Sequence, residues 1–292
     1  MFNQETPVGF VGLGKMGAPM VRRLLAAGFT VHGANRSQRI VAELETEGMK
    51  PATDAGEVAR QAGVIMSALP DEPSVEAVTE QLLANARPGQ VVVEHSTISP
   101  GLARSAAEGY AEKGVRYLDA PVSGGPAGAA AGTLTVMVGG DPDLIADVRL
   151  VLAAFGDPIR RCGDIGAGQA IKLVNQLLVA IHTAAAAEAA AFGARLGIEF
   201  ETIGEVLGTS FGGSAMLARN LPRFAAQDYA PATPVSLIKK DLSLIQAQAT
   251  AVGTPLALGE VAEILYSDAT EQGLGSEDMA SLYKLFASSA AL

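Results

Sequence analysis

Between residues 8 and 164 the chain alternates short apolar runs with helical segments, and no other feature constrains its fold as strongly. Runs at 8–13 (VGFVGL), 30–35 (TVHGAN), 64–70 (VIMSALP), 91–97 (VVVEHST), 116–122 (RYLDAPV), 134–140 (LTVMVGG) and 159–164 (IRRCGD) read as strands. Helical patterns fill 16–28, closed by Gly28, then 37–48, a stretch ending near Arg87, and 101–114. Strands separated by helices pair in parallel through crossover connections. Their nearly continuous apolar character fits a sheet covered on both faces. After GDIGAG (163–168) the pattern becomes wholly helical. One helix, about 169–196, would run roughly 42 Å at 1.5 Å per residue. Others are expected to start at Thr233-Pro234 and Thr254-Pro255, a capping residue followed by proline at the first helical position, and near Ser276. The expected boundary lies near residue 165.

The first strand runs into Gly12-Leu13-Gly14-Lys15-Met16-Gly17, a G-x-G-x-x-G spacing that opens a helix. Glycine in a helix costs about 1 kcal/mol relative to alanine, so its repetition here needs a reason. Gly12 permits a tight turn, Gly14 lets a pyrophosphate approach the backbone, and Gly17 lets helix and strand pack closely. The helix N-terminus favours an anion through its N–H groups and dipole. The strand–loop–helix–strand setting over about thirty residues turns a weak motif into a dinucleotide site, with Leu13, Lys15 and Met16 in the loop beside the ligand. The fold expected is therefore α/β: a Rossmann-like dinucleotide-binding domain over 1–165, then an all-helical domain over 166–292.

The second strand ends in ANRSQ. NAD-binding versions place Asp or Glu there to accept from the ribose hydroxyls. Asn35 is uncharged, Arg36 can contact a phosphate through two N–H groups, and Ser37 adds a donor. NADP(H) is the expected cofactor, with NAD(H) left open.

Composition excludes several classes of function. The net charge of −10, from 21 basic and 31 acidic residues, argues against a nucleic-acid partner, which calls for a basic field. The single Cys162 cannot form an internal disulfide and fits a reducing, cytoplasmic compartment. The first ten residues, MFNQETPVGF, lack the charge and apolar core of a secretory leader. The apolar stretch 177–194 carries His182 and Glu188 between Lys172 and Arg195, which reads as a core helix rather than a membrane span. His32, His95 and His182 are scattered without partners at ligand spacing, so no metal site is expected. Ser96 and Ser123 lack an evident His–acid pair, which disfavours a hydrolase triad. Cys162 reads as a small buried apolar residue. Arg219 and Arg223, four apart on a helical pattern, read as a solvated face or as contacts for an acidic partner or substrate.

Four segments, GFVGLGKMGAPM (9–20), DAPVSGGPAGAAAGTLTVMVGG (119–140), GAGQAIKLVNQ (166–176) and KKDLSL (239–244), together resemble the β-hydroxyacid dehydrogenase family, which includes 3-hydroxyisobutyrate dehydrogenase and tartronate semialdehyde reductase. Their order and spacing cover nearly the whole chain. The resemblance implies a Rossmann-like domain followed by a helical one with substrate and oligomerisation roles, with an active site in the cleft and a homodimer or homotetramer as the assembly. It implies Lys172 as the catalytic residue. Independently, the apolar neighbours Ala170, Ile171, Leu173 and Val174 would favour the neutral amine, which suits proton transfer. Asn175 and Gln176 follow on the same helical face. The family usually carries Asn at both positions, so the substrate-binding role extends to Asn175 alone.

By the same resemblance Ser123, Gly124 and Gly125 form the loop that holds a substrate carboxylate, with backbone N–H groups converging on the anion. Thr97 lies near the nicotinamide ribose, Leu69 and Pro70 cover the cofactor, Lys240 reaches back to it, and Asp241 helps place it or the substrate. The implied reaction is hydride transfer between NADP(H) and a small 3-hydroxy acid or its semialdehyde. Imine reductases resemble the chain over the same length but generally lack the lysine found here as Lys172. A non-catalytic NADP sensor would need the glycine loop but not Ser123 and Lys172 together.

Overall fold

The computed structural model describes residues 2–287. Its elements follow in the order β1 (Val8–Val11), α1 (Gly17–Ala26), β2 (Val31–Ala34), α2 (Gln38–Thr46), β3 (Lys50–Pro51), α3 (Ala55–Gln61), β4 (Val64–Ser67), α4 (Glu72–Asn85), β5 (Val91–Glu94), α5 (Pro100–Glu112), β6 (Arg116–Asp119), β7 (Val122–Ser123), α6 (Gly125–Ala131), β8 (Leu134–Gly139), α7 (Pro142–Leu152) and β9 (Gly156–Gly163). Helices follow: α8 (Ala167–Arg195), α9 (Phe200–Leu207), α10 (Ala215–Ala226), α11 (Val235–Val252), α12 (Ala257–Glu271), a 3₁₀ turn (Met279–Leu282) and α13 (Tyr283–Ala287). Contacts divide the chain into two compact units, Met1–Lys172 and Leu173–Leu292.

The first unit is a nine-stranded sheet whose parallel part runs β3-β2-β1-β4-β5-β6, the strand order of dinucleotide-binding folds. β8 is antiparallel to β6 and β7, and β9 pairs with it in parallel. Alternate residues supply two cores. Val8, Phe10, Val64, Met66, Val91 and Val93 face one side with α1 residues Met20, Val21 and Leu24. Val11, Ile65 and Val92 face the other with Val58 and Ala59 of α3. Both faces are thus covered, which is why the strands read as unbroken apolar runs. The sheet order reverses beside β1, where ligands of such folds bind, outside the carboxyl ends of the strands.

The second unit packs around Tyr266, Phe224, Ile238 and Leu242. The alanines of α8 at 180, 184, 187 and 191 are buried and share one face at 100° per residue. Arg219 and Arg223 are neither on a solvated face nor available to an outside acid. Arg219 makes two 2.8 Å bonds to the wholly buried Asp278, and Arg223 approaches it at 3.8 Å. Burial alone would raise the Asp278 carboxyl; Arg219 and the Thr233 and Ala280 amides outweigh it and hold it below its usual range.

Several helix starts differ from the sequence expectation. Pro234 is the N-cap of α11 and Leu256 that of α12, so both prolines precede their helices instead of opening them. The reason at Thr233 is its backbone: its N–H donates to Asp278 Oδ2 and its carbonyl accepts from Met279, which draws it into a bridge with the 278 region instead of a cap. The start expected near Ser276 is the 3₁₀ turn capped by Asp278. Cys162 is half-buried in β9 rather than fully buried, and burial pushes its thiol up.

Candidate active site

The glycine loop closes against the backbone on both sides. A Cβ on Gly12, whose φ is +93°, would collide with the Ala68 carbonyl, and one on Gly17 would collide with the Gly12 carbonyl. A Cβ on Gly14 would meet nothing within 4 Å. Two glycines are therefore required by close packing, and the third borders open space at the α1 N-terminus, a cradle suited to a phosphate group. A groove of about 540 Å³ lies there, lined by Gly14 and Lys15 among others.

Asn35 lies at the end of β2. Its Oδ1 accepts the Leu13 N–H at 3.1 Å and its Nδ2 donates to the Ser37 carbonyl at 3.3 Å. The residue thus shapes the loop as well as lining the groove. Ser37 also lines it, whereas Arg36 stands exposed and outside the lining. Arg39, which sequence reasoning passed over, does line it; its signal was its place in the first turn of α2, three residues after Arg36. Its tie to Glu43 is a loose 3.7 Å ion pair.

The carboxyl ends of β4, β5 and β6 are joined by buried polar side chains. Glu94 accepts from Ser67 Oγ at 2.6 Å and from the Ser96 N–H at 2.7 Å. Ser96 Oγ accepts the Leu69 N–H at 2.7 Å, so the Leu69-Pro70 loop and the Thr97 loop hang on one carboxyl group. Burial raises that carboxyl above its usual range, against the pull of its hydrogen bonds. His95 is enclosed beside it. Burial lowers its imidazole to about 4 although its Nδ1 bonds the Ala120 carbonyl at 2.7 Å, so it is neutral and Nδ1 carries the proton.

Asp119, at the end of β6, is wholly buried and receives the Gly166 and Gln169 N–H groups at 2.7 and 2.8 Å. It caps α8 from 47 residues away, satisfying N–H groups that a helix start leaves unpaired. The glycines of GDIGAG make this fit possible: Gly166 has φ +91°, and a Cβ on Gly168 would collide with the Met137 carbonyl of β8. Lys172 lies one turn further along α8 and is only 8% exposed, although its neighbours Ile171 and Val174 are exposed.

Ser123 pairs with Thr135 across the β7–β8 ladder and is half-exposed. Gly124 and Gly125 follow with φ +130° and +64°, two left-handed residues in succession that favour glycine. A Cβ on Gly125 would meet nothing within 4 Å.

In the second unit three of the expected residues, Asn175, Asp241 and Lys240, form one chain of contacts through Gln176. Asn175 Nδ2 donates to Gln176 Oε1 at 3.0 Å, Gln176 Nε2 donates to Asp241 Oδ2 at 2.5 Å, and Asp241 Oδ1 lies 2.9 Å from Lys240 Nζ. Gln176, where the family usually carries Asn, is thus the link between Asn175 and Asp241.

Residues 7–166 match the model of the NAD binding domain of 6-phosphogluconate dehydrogenase, and residues 166–286 match that of the NAD-binding region of NADP-dependent 3-hydroxyisobutyrate dehydrogenase. The NAD-dependent L-serine dehydrogenase of Pseudomonas aeruginosa is 39% identical, over 96% of this chain and 97% of that protein. The 2-(hydroxymethyl)glutarate dehydrogenase of Eubacterium barkeri is 36% identical, over 96% and 94%. The crystal structure of a 3-hydroxyisobutyrate dehydrogenase from Salmonella typhimurium superposes with a TM-score of 0.89 at 34% identity, covering 96% of this chain and 100% of that one. With both halves matched and full-length relatives above 30% identity, the chain belongs to the β-hydroxyacid dehydrogenase family and is an NAD(P)-dependent oxidoreductase.

Proposed function

We propose that the protein interconverts a small 3-hydroxy acid and its semialdehyde, prefers NADP(H), and uses Lys172 as the acid–base group. One observation carries this reading: a lysine buried to 8% exposure, on a helix whose first turn is fastened to the carboxyl end of the sheet.

The residues fit the cofactor. Gly14 leaves room for a pyrophosphate, the α1 N-terminus favours its charge, and Arg36 and Arg39 supply guanidinium groups for a 2′-phosphate. When bound, the dinucleotide donates or accepts a hydride. Lys172 Nζ gives its proton to the carbonyl oxygen in reduction and takes it from the hydroxyl in oxidation. Ser123 and the Gly124 and Gly125 amides hold the substrate carboxylate, and Asn175 orients the hydroxy acid.

The reading divides the labour near residue 165, with nucleotide binding in 1–165 and substrate and oligomer roles in 166–292. It extends to a homodimer or homotetramer in the cytoplasm, without nucleic acid or membrane as partner. Val174, Leu178 and Phe192 of α8 are exposed and share one face at 100° per residue, as a buried contact with a second copy would need. Light scattering that finds a monomer overturns that part.

The test is absorbance at the NADPH band with 3-hydroxyisobutyrate, L-serine and 2-(hydroxymethyl)glutarate, for the wild type and Lys172→Ala. At least one acid should be oxidised, and the variant should turn over roughly 10²–10⁴-fold more slowly. Near-normal turnover in the variant removes Lys172 from the mechanism.

A further inference from the structure

We propose that Gln169 is a positioning residue for turnover: its carboxamide locks the turn of α8 that carries Lys172 onto the loop that carries Thr97. The proposal rests on the reading of Lys172 as the acid–base group. Gln169 is wholly buried. Its Nε2 donates to the Ser96 carbonyl at 2.8 Å and its Oε1 accepts the Ile98 N–H at 3.1 Å. The two contacts bracket Thr97, one residue to each side. The backbone N–H of Gln169 is meanwhile held by Asp119 Oδ2. One residue therefore ties the start of α8 to the ends of both β5 and β6.

The chemistry of the contact is specific. A carboxamide presents one donor and one acceptor in a single plane, and the Ser96 carbonyl and Ile98 N–H require one of each. The same loop is fixed from the sheet by Glu94, through the Ser96 N–H, and from α4 by Glu72, which accepts the Ser99 N–H at 2.7 Å. Gln169 supplies the tie from α8. Lys172 follows three residues later and so rises from the neighbouring position on the same face. Leucine at 169 would leave two buried backbone groups unpaired. Glutamate would set a carboxylate oxygen against the Ser96 carbonyl.

Small errors in placement cost rate: about 1 Å is worth on the order of 10²-fold. Gln169→Leu should therefore lower kcat by roughly 10–100-fold while leaving the NADPH dissociation constant within about threefold. A purely structural role would lower the melting temperature and leave kcat per folded molecule unchanged. The decisive experiment is a double-mutant cycle of Gln169→Leu and Lys172→Ala, measured with the most active acid of the panel above. If Gln169 acts through Lys172, the double variant turns over no more slowly than Lys172→Ala alone. Losses that multiply overturn the proposal, as does a normal kcat in Gln169→Leu. If Gln169→Leu does not fold, Gln169→Glu, which keeps the acceptor and loses the donor, enters the same cycle. A normal rate in Lys172→Ala alone overturns the lysine reading and this proposal with it, and is visible before Gln169 is altered.

Discussion

The two ends of the nucleotide-binding unit are built in opposite ways. At the β2 end, Arg36, Ser37 and Arg39 are exposed and Asn35 is half-buried, with Asn35 bonded to the Leu13 N–H and the Ser37 carbonyl and a loose ion pair at Arg39. At the β5–β6 end, Glu94, Ser96, Asp119 and Gln169 are buried and satisfy one another and the surrounding backbone. The first arrangement tunes affinity, since an exposed guanidinium can be removed without leaving a buried group unpaired. The second fixes geometry, since each of its members holds another in place. Cofactor choice and turnover should therefore respond separately to substitution.

The strongest challenge to this contrast is at the glycine loop, which the β2 end holds through the bond from the Leu13 N–H to Asn35. Gly17→Ala places a methyl group on the Gly12 carbonyl, and backbone cannot swing aside as a side chain can. Overpacking of this kind costs about 1–3 kcal/mol, and NADPH affinity should fall at least tenfold, since the loop itself is displaced. Gly14→Ala, whose methyl enters open space, should keep its melting temperature and lose only affinity. Equal melting-temperature losses in the two variants would refute the division of roles among the glycines.

The buried end should also announce itself in acid. His95 is held at about 4, below its usual 6.5, mainly by burial. Between those values the unfolded chain binds more protons, so stability is fully present above about pH 6.5 and falls as the pH drops. At 1.36 kcal/mol per unit the loss by pH 5 is about 2 kcal/mol. The buried Glu94 and Asp119 carboxyls, raised by burial, push the opposite way. The measurement is therefore the difference in unfolding free energy between wild type and His95→Gln. That difference should shrink from pH 7.5 to pH 5; a constant difference contradicts the buried neutral imidazole.

At the exposed end the effects fall on cofactor affinity alone. Arg36→Ala should weaken NADPH by roughly 10–100-fold, taking 1.5–3 kcal/mol for a hydrogen bond to a charged group, and leave NADH nearly unchanged. Added salt should weaken NADPH more than NADH. If Arg39→Ala carries the loss and Arg36→Ala does not, the groove lining identifies the phosphate contact better than the sequence position does. Smallest of all, Ser123→Ala removes one hydroxyl at a half-exposed site. About 1 kcal/mol predicts a Michaelis constant raised roughly fivefold with cofactor affinity spared. Gly124→Val would be a poorer probe, because its φ of +130° would strain any side chain.

What could be read from the sequence was what is local or periodic. Strands β1, β2, β4, β5 and β6 each appear as an apolar run, and the glycine loop and Lys172 sit in contiguous motifs. Short elements escaped for lack of signal: β3 has two exposed residues, and α3 has seven residues behind an Asp54 cap. α9, which precedes the glycines at 208, 212 and 213, also lacked a signal, and of α10 only the helical spacing of Arg219 and Arg223 could be read. The joins around Lys172 were out of reach for a different reason. Asp119 meets Gly166 and Gln169 across 47 and 50 residues, and Gln169 meets Ser96 across 73, so no window of sequence contains both partners. Asn35 shows the limit in miniature: its uncharged side chain read as a cofactor contact, and the structure adds a bond to the loop itself.

The separation of affinity from turnover is tested most directly by measuring NADPH dissociation constants and kcat side by side for wild type, Arg36→Ala and Lys172→Ala. Arg36→Ala should weaken NADPH roughly 10–100-fold with kcat at saturating cofactor nearly unchanged. Lys172→Ala should lower kcat roughly 10²–10⁴-fold with NADPH affinity nearly unchanged. Variants that lose affinity and turnover together, in the same proportion, would contradict it.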